Sequence, residues 1–196
     1  MDVGDFENLK TPVFVSFWRT SAERGVRHRC PLLSEELGVS LATFAVDQLH
    51  CLNLGVLKEY VTTVFWTLLD NNIYGIDNRA PASERHALGI LRLRHDLFAW
   101  YDKRKKEFPD ESIYRMQNLT VKMLGTRKSP SLRAKAAETK FLLFFAVGMA
   151  RAHRGSLPQG QALAGAGEAL QKYMETCANH GKRLPPSIIQ DTILRL

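Results

Sequence analysis

A short apolar run, Leu41-Ala42-Thr43-Phe44-Ala45-Val46, meets a carboxylate at Asp47 and then changes period. Six apolar, partly β-branched residues fit a buried strand. From residue 49 to residue 69 the apolar positions recur at helical spacing instead. A strand that feeds a helix through an ionisable residue is where α/β folds commonly place ligand chemistry. Asp47 and, one turn on, His50 are therefore candidate site residues. A plainer account stands beside this one. An Asp at such a junction is a good N-cap, worth about 1 kcal/mol. A histidine one turn into a helix can simply be packed, and metal sites gather three or more ligands.

The remainder of the chain divides around this junction. Val13-Phe14-Val15-Ser16-Phe17-Trp18 is a second strand candidate, so residues 1–48 are expected to contain β structure. Residues 49–196 are expected to be helical, with helices near 50–70, 83–106, 111–124, 131–154, 159–180 and 187–195. Asn71-Asn72, Pro81, Pro109, Gly125, Ser129-Pro130, Gly155 to Pro158 and Gly181 to Pro186 punctuate them. Ser83 and Ser131 are candidate N-caps. Two strands do not make a stable sheet, so the 196 residues read as one domain or as a fragment of a larger one. The small-residue run Gly160 to Gly167 lacks a following Lys-Ser/Thr and is read as close helix packing rather than a phosphate loop.

Charge points to a polyanionic partner. The formal net charge is +7. Between Ser112 and Ala137 no acidic residue occurs, while Arg115, Lys122, Arg127, Lys128, Arg133 and Lys135 do. Arg19, Arg24, Arg27 and Arg29 form a second cluster opposed only by Glu23. Unopposed cations of this kind suit phosphate contact, and the expected partner is DNA, bound weakly and without sequence preference. Lys103 to Lys106 sit among acidic residues and read as a solvated helix end. Three cysteines without a framework and an acidic N-terminus are those expected of an intracellular protein. The apolar run Phe141 to Ala150 is shorter than the roughly 20 residues a membrane span needs, so no membrane partner is expected.

A second carboxylate sits at Glu138. On a helix it shares a face with Leu142, Phe145 and Met149. Buried there it would need a cation or a metal ion as partner. The alternative is that the apolar stripe begins at Phe141 and Glu138 projects outward beside Lys135.

The two carboxylates together resemble part of a eukaryotic DDE-type transposase of the Kyakuja–Dileera–Zisupton and Plavaka-like group. The first pattern is Asp47, Leu49, His50, Leu54, Gly55 and Val56; the second is Lys135, Ala136 and Glu138, followed by Leu142 to Val147. The likeness spans roughly residues 27–150. It implies a mainly α chain with a small N-terminal β element, a truncated RNase H-like α/β core carrying a helical insertion. It implies catalytic roles for Asp47 and Glu138 as ligands of Mg²⁺ or Mn²⁺, an auxiliary role for His50, and a nuclear setting. The departures are specific. Leu57-Lys58-Glu59 stands where the family often has a basic residue or histidine. The family's first catalytic Asp has no counterpart, since Asp2, Asp5 and Glu7 precede the first strand candidate. Two-metal strand transfer needs a fuller carboxylate set, so the expectation is a remnant that is inactive alone. The competing reading is a basic helical module for nucleic acid or an acidic protein, without catalytic ancestry.

Overall fold

The structure is a computed structural model and describes residues 48–180. A wide, π-type helical segment, Gln48–Val56, leads into α1 (Leu57–Asp70). Helix α2 (Ala82–Glu107) follows, then an extended strap ending in a 3₁₀ turn (Val121–Leu124), then α3 (Ala136–Ala152) and α4 (Gly160–His180). The described residues are mainly helical and contain no strand; one isolated bridge joins Gly125 and Pro130. The strand candidates at 13–18 and 41–46, Asp47, the Arg19–Arg29 cluster and the helix expected at 187–195 lie outside the described residues.

Apolar spacing explains the packing. In α1, Leu57, Val61, Val64, Phe65 and Leu68 recur on one face and are buried. In α2 the buried set is Ile90, Leu93, Leu97 and Tyr101. Helix α3 is buried nearly all round, through Phe141, Leu142, Leu143, Phe145, Ala146, Val147 and Ala150. It accordingly packs against α1, α4 and the π-type segment. Gly160, Ala164 and Gly167 are the buried small residues of α4, in line with close helix packing. A Cβ at Gly167 would lie 2.0 Å from the Tyr60 hydroxyl and 2.7 Å from Val147 Cγ2. That hydroxyl donates to the Leu163 carbonyl at 3.0 Å.

The chain bends at Gly55, whose φ and ψ are both −107° and non-helical. A Cβ there would meet the His50 carbonyl at 3.1 Å, tighter than ordinary contact. Helix α1 ends where Asn72 turns left-handed at φ 46°. The Asn72 side chain fixes the turn by donating to Ile76 O at 2.7 Å and accepting Ile76 N–H at 2.9 Å.

Three helix boundaries differ from those expected. Ser83 is not a cap: α2 begins at Ala82 after Pro81, whose carbonyl accepts the Glu84 and Arg85 amides. Residues 111–120 are not helical. They run back along α2, where Arg115 binds Asp102, the Met116 amide donates to the Tyr101 hydroxyl and Arg94 binds Asn118. Ser131 is not a cap either, because residues 131–133 pair back onto the 3₁₀ turn. The Ser131 amide reaches Leu124 O and the Arg133 amide reaches Met123 O, so α3 starts only at Ala136. Among the described residues no helix is long and apolar enough to cross a membrane.

Candidate functional site

The two motif segments meet. Asn53 lies in the π-type segment, and its Nδ2 reaches the Ala136 carbonyl at 3.5 Å, a long and weak hydrogen bond across 83 residues of sequence. Its Oδ1 is buried and has no partner among the described residues. His50, three residues earlier, is exposed. Glu138, two residues after Ala136, is half-buried. Its Oε2 accepts the Lys135 amide at 2.8 Å, so the carboxylate closes the first turn of α3 from inside. The Lys135 carbonyl in turn accepts the Thr139 amide at 2.9 Å and its hydroxyl at 3.0 Å.

This arrangement does not fit a pair of Mg²⁺ ions on the described residues. Mg²⁺ is held by several hard oxygen ligands, and one oxygen of Glu138 already serves the helix end. No three His, Cys, Asp or Glu side chains gather around a common point among the described residues. The negative charge of Glu138 is nevertheless felt nearby. It reinforces the rise of the Tyr101 hydroxyl pKa, which burial causes first and which the Met116 amide hydrogen bond opposes.

The six cations of the acid-free stretch divide into two groups. Arg115 is half-buried and its Nη1 lies 2.7 Å from Asp102. Arg127 grips Asp70 with Nε and Nη2, the former at 2.7 Å. That pairing raises the Arg127 pKa above its ordinary value. Lys122, Lys128, Arg133 and Lys135 are exposed. The pairing of 123–124 with 131–133 folds this segment into a tight turn, in which the Arg133 amide meets the Met123 carbonyl.

Two clusters here escaped the sequence reading. Asp70, Arg127 and His86 converge beside Trp66. His86 Nε2 lies 3.1 Å from both Asp70 Oδ1 and Arg127 Nη2. With a hydrogen, that nitrogen donates to the carboxylate; bare, it accepts from the guanidinium. The Trp66 indole N–H donates to Leu124 O at 3.3 Å, and the Arg127 guanidinium stacks over the same ring at 5.1 Å. Fifty-seven residues separate Arg127 from Asp70, so no spacing rule reveals the pair. In the second cluster Lys103, Lys105 and Lys106 are exposed, as a solvated helix end requires, and Arg104 departs from that reading. Arg104 is half-buried and binds Glu111 through two hydrogen bonds, of 2.6 and 2.9 Å. Trp100, Phe108 and Phe144 surround its guanidinium at 4.6 to 5.5 Å, with Phe141 at 5.9 Å. The Arg104 hydrogen bonds hold the Glu111 carboxyl below its usual range. Its one available signal is Phe108-Pro109, which turns the chain back toward the helix.

Comparison with protein-family models, with curated proteins and with solved structures finds no match.

Proposed function

We propose that this chain descends from a DDE-type transposase with an RNase H-like catalytic domain and that it binds DNA without cutting it. The observation that carries this reading is the meeting of the two motif segments at Asn53 and Ala136. The Asp47–Val56 and Lys135–Glu138 patterns are those the resemblance pairs around one site, and α3 begins where its acidic motif stands. In this reading the elements between them are the helical insertion, His50 is an auxiliary side chain and the setting is the nucleus. Glu138 has passed from ligand to helix-end acceptor. Any Mg²⁺ or Mn²⁺ held between Asp47 and Glu138 is weak and supports no turnover. DNA contact falls to Lys122, Lys128, Arg133 and Lys135, exposed members of the acid-free stretch that, unlike Arg127, are not held by Asp70.

Fluorescence anisotropy with a labelled duplex across a salt series tests the reading. Affinity should fall steeply with salt, with a log–log slope of about −0.9 for each phosphate neutralised. Replacing Lys122, Lys128, Arg133 and Lys135 by Ala should lower both the affinity and the magnitude of the slope. Arg115→Ala and Arg127→Ala should each do less, because Asp102 and Asp70 already hold those guanidiniums. Asp47→Ala should change neither. Salt-independent binding, or none at low salt, would overturn DNA binding. Metal-dependent cleavage lost in Glu138→Ala would overturn the assignment as inactive. Calorimetry in which wild type and Asp47→Ala take up Mn²⁺ identically would remove the remnant metal site.

A further inference from the structure

The tip of the basic turn, Thr126 to Ser129, closes on itself. The Thr126 amide donates to Ser129 O and the Ser129 amide to Thr126 O, both at 3.2 Å. Gly125 enters the tip at φ 67°, where a Cβ would lie 2.8 Å from the Ser129 carbonyl. Arg127 reaches out of this closed tip and fastens it to α1. Its Nε and Nη2 both donate to the Asp70 carboxylate, and its guanidinium covers the Trp66 ring. Asp70 is the last residue of α1, where the helix dipole disfavours a carboxylate, so it gains from each cation beside it.

His86 of α2 stands at the same point. Its Nε2 lies 3.1 Å from Asp70 Oδ1 and 3.1 Å from Arg127 Nη2, and its side chain is only 12% exposed. The ring meets Trp66 edge-on at 5.6 Å. The charged groups at hydrogen-bond distance are thus Asp70 from α1 and Arg127 from the turn. Lys128, the other cation of the tip, and Glu84, on α2, are exposed. Arg85, beside His86 on α2, donates instead to the Asn78 and Ala80 carbonyls.

A neutral imidazole suits this place in either tautomer. Bare, Nε2 accepts from Arg127; with a hydrogen, it donates to Asp70. A protonated imidazole still donates to Asp70 but accepts nothing from Arg127, and it sets a second positive charge against the guanidinium. The coupling between proton and turn therefore has a definite sign. Withdrawing Arg127 removes a cation from beside the ring and leaves the carboxylate, so the released turn holds the proton more tightly than the fastened one. By reciprocity, the proton favours release.

We propose that Asp70, His86 and Arg127 form a proton-operated latch: proton uptake at His86 releases Arg127 from Asp70 and frees the tip of the turn. Two like charges about 4 Å apart shift such an equilibrium about fivefold even at the dielectric constant of water. Release also exposes one more cation beside Lys122, Lys128, Arg133 and Lys135, so acid should strengthen DNA binding. That consequence rests on the DNA-binding reading above; the latch itself does not.

The test uses the full chain at about pH 8 and about pH 5.5, a window in which an imidazole ordinarily changes charge and a carboxylate does not. Nitrogen NMR of the arginine side chains reads the latch without DNA. The Arg127 Nε–Hε signal, assigned by its loss in Arg127→Gln, should move in acid toward the position it takes in Asp70→Asn, where its partner is gone. The ratio of fastened to released turn should fall about fivefold. In His86→Gln, whose neutral amide can accept from Arg127 or donate to Asp70, the signal should keep its fastened position at both pH values. A double-mutant cycle of Asp70→Asn and Arg127→Gln in chemical denaturation gives a second reading that does not require His86→Gln to fold: the coupling should weaken from pH 8 to pH 5.5. An Arg127 signal and a coupling that ignore pH overturn the proposal, and so does an equal acid response in His86→Gln. On a labelled duplex, acid should tighten binding by the wild type up to about fivefold more than by His86→Gln, a difference that removes the part of the other histidines. A pH-responsive latch in a chain that binds no DNA overturns the DNA reading and leaves the latch standing. DNA binding with a pH-independent latch does the reverse.

Discussion

Helices α2 and α3 are both rich in apolar residues and use them differently. Seven of the seventeen residues of α3 are buried apolar side chains distributed around most of its circumference, so the helix has little outward face. A helix apolar all round belongs inside a fold. In α2, twenty-six residues long, three apolar and one aromatic side chain are buried, while Leu88, Leu91 and Phe98 stay in water. Residue type is therefore a poor guide to energetic role here. What separates Phe145 from Phe98 is the neighbours each one has. The Phe145 ring lies 6.0 Å from both Phe65 and Trp100, whereas Phe98 lies on the outward side.

The largest expected effect tests that contrast directly. Phe145→Ala should destabilise the fold by about 3–5 kcal/mol in chemical denaturation, the usual cost of a buried aromatic cavity. Phe98→Ala should cost no more than about 0.5 kcal/mol, as exposed substitutions do. Similar costs at the two sites would mean that the outward stripe of α2 is in fact packed.

Next in size is the crossing of α1, α3 and α4 at Gly167. A methyl group there collides with Tyr60 and Val147, so Gly167→Ala should destabilise by about 1–3 kcal/mol despite the better helix propensity of Ala. Gly165→Ala, with nothing within 4 Å, should stabilise by about 0.5–1 kcal/mol. Adding Tyr60→Phe should recover part of the Gly167→Ala loss, which a double-mutant cycle would read as coupling. Tyr60 also sets an alkaline limit. Burial raises its hydroxyl pKa from 10.0 to about 12. The neutral form is favoured in the folded state, so this stability is complete below pH 10 and fades as pH climbs from 10 toward 12. Tyr60→Phe should flatten that part of the alkaline limb.

The Arg104 cluster, where the end of α2 meets the start of α3, ranks third. Arg104→Met should cost about 1–2 kcal/mol, between the values for exposed and buried ion pairs. Arg104→Lys should recover only part, because a lysine cannot make the two parallel bonds to Glu111. Glu111 has a lowered carboxyl pKa, so its contribution is present above the unfolded value of about 4.3 and disappears as pH falls through the folded one. Acid titration of stability in Arg104→Met should therefore be shallower than in wild type.

These particulars show what the sequence can carry. The helices α1, α3 and α4 were legible because their apolar spacing agrees with burial. The strap was not. Ile113, Met116 and Leu119 recur every third residue and imitate a helix face, but the segment is held to α2 by Arg115 on Asp102, the Met116 amide on the Tyr101 hydroxyl and Arg94 on Asn118, bonds that periodicity does not encode. Charge was legible as a total and illegible as a surface. Arg115 and Arg127 look as free in the sequence as Lys128 does, and only the fold brings Asp102 and Asp70 to them. The candidate carboxylates divide in the same way. Glu138 reads in the sequence as lying inside a helix expected from residue 131, on its apolar stripe or outward beside Lys135; that it closes the helix start by accepting the Lys135 amide became visible only with the backbone in place.

The smallest expected effect bears on that same residue. If Glu138 serves mainly to accept the Lys135 amide, the acceptor oxygen matters more than the charge. Glu138→Gln keeps an oxygen at the same reach and should cost only a few tenths of a kcal/mol, largely the lost attraction between a carboxylate and the positive helix end. Glu138→Ala removes the acceptor and should cost about 0.5–1 kcal/mol, in the lower range for a lost helix cap. Equal losses in the two variants would show that charge, not the hydrogen bond, is what the position supplies. A gain in stability for Glu138→Gln would show more. It would mean that the carboxylate is held against its own preference, as a ligand site is, and that the acidic motif at the start of α3 has kept more of its ancestral character than its hydrogen bond suggests.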